Sequence, residues 1–216
     1  IMNGVTNTAM PQWQHMFSKD DADGMVDWLM DWKDNTNFKL NLEEIKGTWT
    51  KLADRDELAK KYPNSVDTKS VLDITFATER DASLVDFIDS TTGKVLSRHK
   101  AGFAVHVTVT NKKNPRYAYS ISRSGRLTMF DIAAPGQPAI ASVQVGFESR
   151  GLAVSPDGKY VIAGNYTPGG AVLCDAMTLE PLKAYDTSAV INTEGQIEAS
   201  RVASLADTPY GPYFAM

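Results

Sequence analysis

The sequence predicts an all-β fold of propeller blades over residues 70–216. In this part of the chain, short β-rich runs alternate with turns such as "STTGK", "SRSGR" and "SPDGKY". Three of these runs end in an aspartate followed by a turn, and the aspartates Asp89, Asp131 and Asp175 are 42 and 44 residues apart. A period of about 40 to 50 residues that carries four short strands is typical of β-propeller blades.

The number of repeats indicates an incomplete ring. A propeller closes with about four to eight blades, whereas residues 70–216 hold three periods and part of a fourth. The chain starts at Ile1 and stops in "GPYFAM", which has the pattern of another strand. We therefore expect an internal fragment of a longer protein.

The residues before the repeat have a different character. From Ser18 to Lys33 the pattern predicts an amphipathic helix, whose apolar stripe consists of Met25, Trp28, Leu29 and Trp32. Residues 37–69 are mainly polar and charged, which predicts a surface connector with one helical turn at 56–61.

Composition excludes several classes of function. The chain has 43% hydrophobic and 22% charged residues and a formal net charge of -4, so no global attraction to nucleic acid or to anionic membranes is expected. No apolar run approaches the roughly 20 residues of a membrane span. The single cysteine, Cys174, excludes a disulfide or a complete Cys-x-x-Cys-His motif within these residues, and its surroundings predict a buried strand residue.

A histidine lies in the middle of one predicted strand. The stretch "GFAVHVTV", residues 102–109, predicts a strand with an apolar face formed by Phe103, Val105, Val107 and Val109. His106 would then point to the opposite face, among small residues. That position leaves room for a bound guest or for solvent, and the pattern alone does not choose between them.

Taken in order, the motifs resemble the cytochrome cd1 nitrite reductase family. They are "TNTAMPQW", the amphipathic helix, "IKGTW", "ATERDASLVDFID", "GFAVHV", "SISRSGRLTMFD", "ESRGLAVS", "AGNYTPGG" and "SRVASL", which together span nearly the whole chain. The resemblance implies a small c-type cytochrome domain joined to an eight-bladed propeller that binds haem d1. Residues 1–36 would be the α-helical C-terminal part of the cytochrome c domain, 37–69 the connector, and 70–216 the N-terminal blades of the propeller.

The resemblance also implies two iron ligands. His106 would be the proximal axial ligand of the haem d1 iron, and Met10 in "TNTAMPQW" would be the sixth ligand of the haem c iron. The attachment motif of haem c would lie outside this chain. From the residue pattern alone, both side chains could equally be structural: Met10 as a core residue and His106 as a hydrogen-bonded or half-exposed one.

Further residues are implied to bind haem d1, whose several carboxylates need cations nearby. The matching positions are Arg80 in "TERDA", Arg123 in "SRSGR", Arg150 in "ESRGL" and Tyr166 in "AGNYTPGG". The alternative for each arginine is a solvated turn residue, which is the usual situation of arginine. After the tyrosine, the Trp-Pro-Pro sequence common in the family is replaced by Thr167, Pro168 and Gly169.

The catalytic residues are not identified by the resemblance. A distal histidine would stand four residues before Arg201 of "SRVASL", where this chain has Ile197, which carries no proton to donate. The implied activity is periplasmic one-electron reduction of nitrite to nitric oxide in denitrification. The implied partners are a small cytochrome c or cupredoxin as electron donor and a second copy of the chain.

Two alternative functions remain open at this stage. One is a dihydro-haem d1 dehydrogenase of haem d1 synthesis, which has the same domain layout. The other is a non-catalytic propeller that binds a partner or carries electrons.

Overall fold

The computed structural model of the chain describes residues 18–31, 40–63, 71–187, 190–191, 197–198, 201–208 and 214–215. The chain divides into two compact units, Ile1–Phe38 and Lys39–Met216. Met10, the predicted ligand of haem c, lies outside the described residues. Within the described part of the chain, no helix is long and apolar enough to cross a membrane.

The first unit contains the predicted amphipathic helix, α1 (Lys19–Asp31). Its N-terminus is held by a reciprocal cap. The Ser18 hydroxyl accepts a hydrogen bond from the Asp21 amide (3.1 Å), and the Asp21 carboxylate accepts one from the Ser18 amide (2.9 Å). This cap also keeps the pKa of Asp21 below its usual value, because the hydrogen bonds favour the ionised form.

The second unit contains three antiparallel sheets that correspond to successive blades. After a 3₁₀ turn (Val71–Asp73), the first blade has three strands: β2 (Ile74–Glu79), β3 (Leu84–Asp89) and β4 (Val95–Lys100). The second blade has four strands in sequence order: β5 (Val105–Thr110), β6 (Tyr117–Ser122), β7 (Arg126–Asp131) and β8 (Ala139–Gln144). The third blade has the same order: β9 (Glu148–Val154), β10 (Tyr160–Thr167), β11 (Gly170–Asp175) and β12 (Pro181–Tyr185).

Two short strand pairs follow the blades: β13 (Val190–Ile191) with β14 (Ile197–Glu198), and β15 (Ala206–Asp207) with β16 (Phe214–Ala215). The strands β5 and β9 contact each other across neighbouring blades, and β5 also contacts β2. We call β5–β6 and β9–β10 the inner strand pairs, and β3–β4, β7–β8 and β11–β12 the outer strand pairs. The predicted fold class, mostly β with propeller blades, is confirmed.

The aspartate repeat corresponds to a repeated turn. In each blade the aspartate ends a strand and pairs with the first residue of the preceding strand, as Asp131 does with Tyr117. Its carboxylate then accepts two backbone N–H bonds from the residues two and three positions later. These two hydrogen bonds stabilise the turn, because they pair two backbone N–H groups that the turn would otherwise leave without acceptors.

The outer strand pairs repeat a second feature, a β-bulge. In each pair one residue is left without a partner in the register, and these residues are Leu96, Ile140 and Leu182. Because a bulge increases local twist, its recurrence at one place in each blade gives the three sheets a common curvature.

Apolar cores fill the spaces between blades. Phe87 and Phe130 belong to the core that joins the first and second blades, with ring centroids 5.2 Å apart. Tyr119, Met129 and Cys174 belong to the core that joins the second and third. Cys174 is therefore the buried strand residue that was predicted, and burial raises the pKa of its thiol.

Residues 40–63 are more structured than the predicted surface connector. They form α2 (Leu42–Gly47), β1 (Thr50–Lys51), which pairs with β8, and α3 (Arg55–Lys61), which confirms the predicted helical turn. Ile45 is buried, and the Trp49 indole N–H donates to the Thr178 carbonyl (3.0 Å). The polar composition of the segment did not indicate these contacts, because only a few of its residues face the blades.

His99 lies in β4, in the outer strand pair of the first blade. Its ring packs beside those of Phe87 and Phe130, with centroid distances of 5.7 and 5.6 Å, and its Nε2 is 2.7 Å from the Gly136 carbonyl. This histidine is a packing residue of the first core.

Candidate functional site

The predicted site residues lie at the ends of neighbouring strands from three blades. Arg80 directly follows β2, His106 is in β5, Arg123 directly follows β6, and Arg150 is in β9. The backbone of Arg123 holds two blades together, since its amide donates to the Ala104 carbonyl (3.0 Å) and its carbonyl accepts from the Ser149 amide (3.2 Å).

His106 is the unpaired residue of a β-bulge. Val105 pairs with Ser122 and Val107 pairs with Ile121, so that the histidine has no partner across the strand pair. Its side chain is exposed, and among the described residues none donates to or accepts from its ring. A bulge redirects the side chain that it carries, which frees this imidazole from the sheet.

The bulge also corrects the predicted alternation of this strand. Val105 packs in the core between the first and second blades, whereas Val107 and Val109 pack in the core between the second and third. Phe103 precedes the strand and is 72% exposed. The four residues therefore do not share one face, because the extra residue at 106 reverses the side of the sheet on which each later side chain lies.

Two other site residues occupy bulges of the inner strand pair β9–β10. Arg150 is left unpaired on β9, because Gly164 and Asn165 take partners on either side of it. Tyr166 is left unpaired on β10, because the pairing passes from Asn165 to Thr167. Each inner strand pair thus departs from regular pairing where it carries a predicted site residue.

The positive charges of the three arginines affect the ionisation of His106. Burial lowers the pKa of His106 below its usual value, and the positive charges of Arg150, Arg123 and Arg80 lower it further. The imidazole therefore remains neutral at pH 7, with a ring nitrogen lone pair available. Neutral imidazole is the form that binds iron.

Glu148 joins two of these arginines. Its Oε1 accepts from Nη2 of Arg123 at 2.5 Å and from Nη2 of Arg150 at 3.1 Å. The two guanidinium groups hold the pKa of this carboxyl below its usual value. The Arg80 guanidinium is exposed and has no ion pair among the described residues.

The ring of Tyr166 contacts two guanidinium groups. Arg150 is over its ring at 4.1 Å from the centroid, and Arg201 is at 5.6 Å. Such cation–π contacts orient a guanidinium without neutralising it. The Nε of Arg150 is buried and has no hydrogen-bond partner in the described part of the chain.

Sequence reasoning missed the roles of Glu148 and Arg201. Glu148 precedes Arg150 by two residues in "ESR", so a carboxylate beside a predicted anion site was a visible signal. In the sequence, Arg201 was only the reference position in "SRVASL" from which Ile197 was identified. Ile197, the position predicted for a distal histidine, lies in β14 opposite Ile191.

The described residues fit an iron tetrapyrrole that carries carboxylates. A free, neutral imidazole can ligate iron, and the three guanidinium groups, of which that of Arg150 has an unpartnered Nε–H, can bind carboxylates. No group of three or more His, Cys, Asp or Glu in the described ranges could hold a metal ion alone. One protein ligand is sufficient where a macrocycle supplies the others.

Fold and site together define a haem-binding propeller. The model of the cytochrome D1 heme domain family matches residues 69–216. The chain belongs to this family, and the resemblance seen in the sequence is confirmed.

Curated relatives include proteins of two activities. The chain is 27% identical over 195 residues to a nitrite reductase of Stutzerimonas stutzeri, which covers 88% of this chain and 33% of the relative. It is 31% identical over 125 residues to a dihydro-heme d1 dehydrogenase of Pseudomonas aeruginosa, which covers 58% of this chain and 24% of the relative. The chain thus spans a third or less of these two relatives.

A solved structure matches almost all of the chain. Dihydro-heme d1 dehydrogenase NirN, in complex with DHE, superposes with a TM-score of 0.76 at 25% sequence identity. The match covers 99% of this chain and 44% of that one.

Proposed function

We propose that this chain binds haem d1 with His106 as the axial ligand of the iron. One observation supports the proposal: the positive charges of arginines from three successive blades lower the pKa of the same imidazole, which has no hydrogen-bond partner among the described residues. Iron requires a neutral nitrogen donor, and the carboxylates of the macrocycle require cations, so the same cluster meets both needs.

Each residue of the cluster has a distinct task in this proposal. The bulge of β5 turns His106 away from the sheet, and the surrounding positive charge keeps its ring neutral. Arg80, Arg123 and Arg150 bind carboxylates, and Tyr166 holds the Arg150 guanidinium by its ring face. When bound, haem d1 supplies a redox-active iron with an open position for a small ligand.

We propose that the intact protein is a nitrite reductase that forms nitric oxide. The reaction takes one electron and two protons per nitrite, releasing nitric oxide and water, so acids must reach the substrate. The nitrite reductase relative, which covers 88% of this chain, supports this activity. Because Ile197 cannot donate a proton, the proposal requires acids from other positions.

The second candidate is oxidation of dihydro-haem d1. The likeness to the NirN structure over 99% of the chain favours it. In this reaction the tetrapyrrole is the substrate and loses hydrogen, so an acid that protonates nitrite is not needed. The same His106 cluster would bind the macrocycle in both cases.

The remaining parts of the proposal concern the intact protein. Residues 1–36 would end a cytochrome c domain in which Met10 ligates haem c. A periplasmic location, a small cytochrome c or cupredoxin as electron donor, and a homodimer accompany this arrangement.

Haem d1 uptake by the full-length apoprotein tests the site. We expect His106→Ala to abolish the haem d1 absorption spectrum of the reconstituted protein. His99→Gln is the matched control, because His99 packs beside two phenylalanines and lies in the outer strand pair of the first blade. Unaltered uptake by His106→Ala would show that the ligand assignment is wrong.

Turnover separates the two activities. With reduced electron donor and nitrite, a reductase releases nitric oxide. With dihydro-haem d1 and an electron acceptor, a dehydrogenase produces the haem d1 spectrum. Nitric oxide release without oxidation of dihydro-haem d1 supports the first candidate, and the reverse result supports the second.

A further inference from the structure

We propose that Glu148 competes with the carboxylates of the ligand for Arg123 and Arg150, and thereby weakens the binding of tetrapyrroles that carry more than two carboxylates. The inference rests on the proposed function, since it concerns the same arginines.

The contacts of Glu148 show what a ligand must displace. One carboxylate oxygen, Oε1, accepts from both Arg123 and Arg150, at 2.5 and 3.1 Å. The three side chains are each about a third exposed, at 30%, 31% and 32%. A carboxylate from outside can therefore reach the pair, and it meets guanidinium groups that already hold a carboxylate.

The charge of the cluster sets the selectivity. The charges that act on His106 are those of Arg80, Arg123 and Arg150, and not that of Arg201; Glu148 removes one of the three, leaving two to be balanced by the ligand. A dicarboxylate balances these charges while Glu148 keeps its place. A ligand with four carboxylates gains further ion pairs only by taking the arginines from Glu148.

Glu148→Gln isolates this competition. The amide has the same shape and keeps an oxygen that accepts a guanidinium N–H, but it has no charge. We expect the variant to bind iron coproporphyrin, which has four carboxylates, about five- to tenfold more tightly, because two partly exposed ion pairs no longer oppose binding. The affinity for iron protoporphyrin, with two carboxylates, should change by less than about twofold.

The measurement is an absorption titration of the full-length apoprotein at low ionic strength. Glu180→Gln is the control, because it removes the same charge beside Lys46 and Trp49, away from the His106 cluster. In an Arg123→Gln background, the gain from Glu148→Gln should shrink, since half of the competition is already removed. Equal or weaker binding of iron coproporphyrin by Glu148→Gln would overturn the inference.

The same titrations distinguish this inference from the proposed function. If His106→Ala binds iron coproporphyrin as well as the wild type does, the iron-ligand assignment fails. Metal-free coproporphyrin then still tests Glu148, because its binding depends on arginines and not on an iron ligand. If His106→Ala loses binding while Glu148→Gln shows no gain, only the inference about Glu148 fails.

Discussion

The outer and inner strand pairs both contain β-bulges that recur from blade to blade, but the two sets of bulges carry different kinds of residue. The outer bulges carry an aliphatic residue at the same place in all three blades, as Ile140 does in β8. The inner bulges carry His106 in one blade, and Arg150 and Tyr166 in the next. The inner bulges therefore supply polar side chains of the site, whereas the outer bulges carry aliphatic residues alone.

Asp131→Ala should produce the largest loss of stability among the variants of the repeat. Besides two turn amides, its buried carboxylate binds Arg116, whose Nη2 is 2.7 Å away and whose side chain is only 12% exposed. The variant leaves that buried cation without a carboxylate, with only the hydrogen bond from its Nη1 to the Tyr62 carbonyl (2.6 Å), at a cost of about 3–5 kcal/mol. The free energy of unfolding in denaturant measures it.

Asp175→Ala is the matched comparison. Asp175 makes the same turn bonds, to the Met177 and Thr178 amides, without an ion pair among the described residues. We expect a loss of about 1–2 kcal/mol. Equal losses for the two aspartates would show that the turn, and not the buried ion pair, dominates.

Tyr119→Phe tests the core between the second and third blades. The tyrosine is fully buried and its hydroxyl donates to the Ala176 carbonyl at 2.5 Å. Removing the hydroxyl leaves a buried carbonyl without this donor, at a cost of about 1–2 kcal/mol. A variant as stable as the wild type would show that water replaces the bond.

His106→Ala should leave the free energy of unfolding within about 0.5 kcal/mol of the wild type. The side chain is exposed and bonds to no described residue. Denaturant unfolding of the apoprotein checks this. A large loss of stability would contradict the distinction between packing and site positions.

Arg80→Gln should raise the pKa of His106, because one of the positive charges that lower it is removed. NMR titration of the imidazole measures the change. Arg126→Gln is the control, since Arg126 is exposed, bonds to Ser142 and is not among the charges acting on His106. The folded protein holds the His106 pKa below its unfolded value, so stability from this group falls as the pH drops below about 6.5.

The sequence predicted the repeated part of the fold well. The aspartates at 89, 131 and 175 mark the period because each makes the same local turn, and local bonds leave a clear pattern. The bulges were not predictable from alternation. Register depends on the partner strand, so the sequence of β5 alone indicated one face where the structure has two.

The candidate site was predicted only in part. Arg80, Arg123, Arg150 and His106 were named through the family resemblance, and the structure places their charges together. Glu148 was missed because the search was for cations, although two cations from different strands converge on it. Its contact with Arg123 joins residues 25 positions apart and leaves no periodic signal.

The pairing of β1 with β8 has a practical consequence for dissecting the protein. The family match starts at residue 69, but Thr50 and Lys51 cover the edge of the second blade, and Trp49 reaches the third. Trimming at the family boundary would uncover a strand edge and an apolar strip, both of which promote self-association. A recombinant piece that starts before Lys39 keeps residues 40–63 together with the blades in one compact unit.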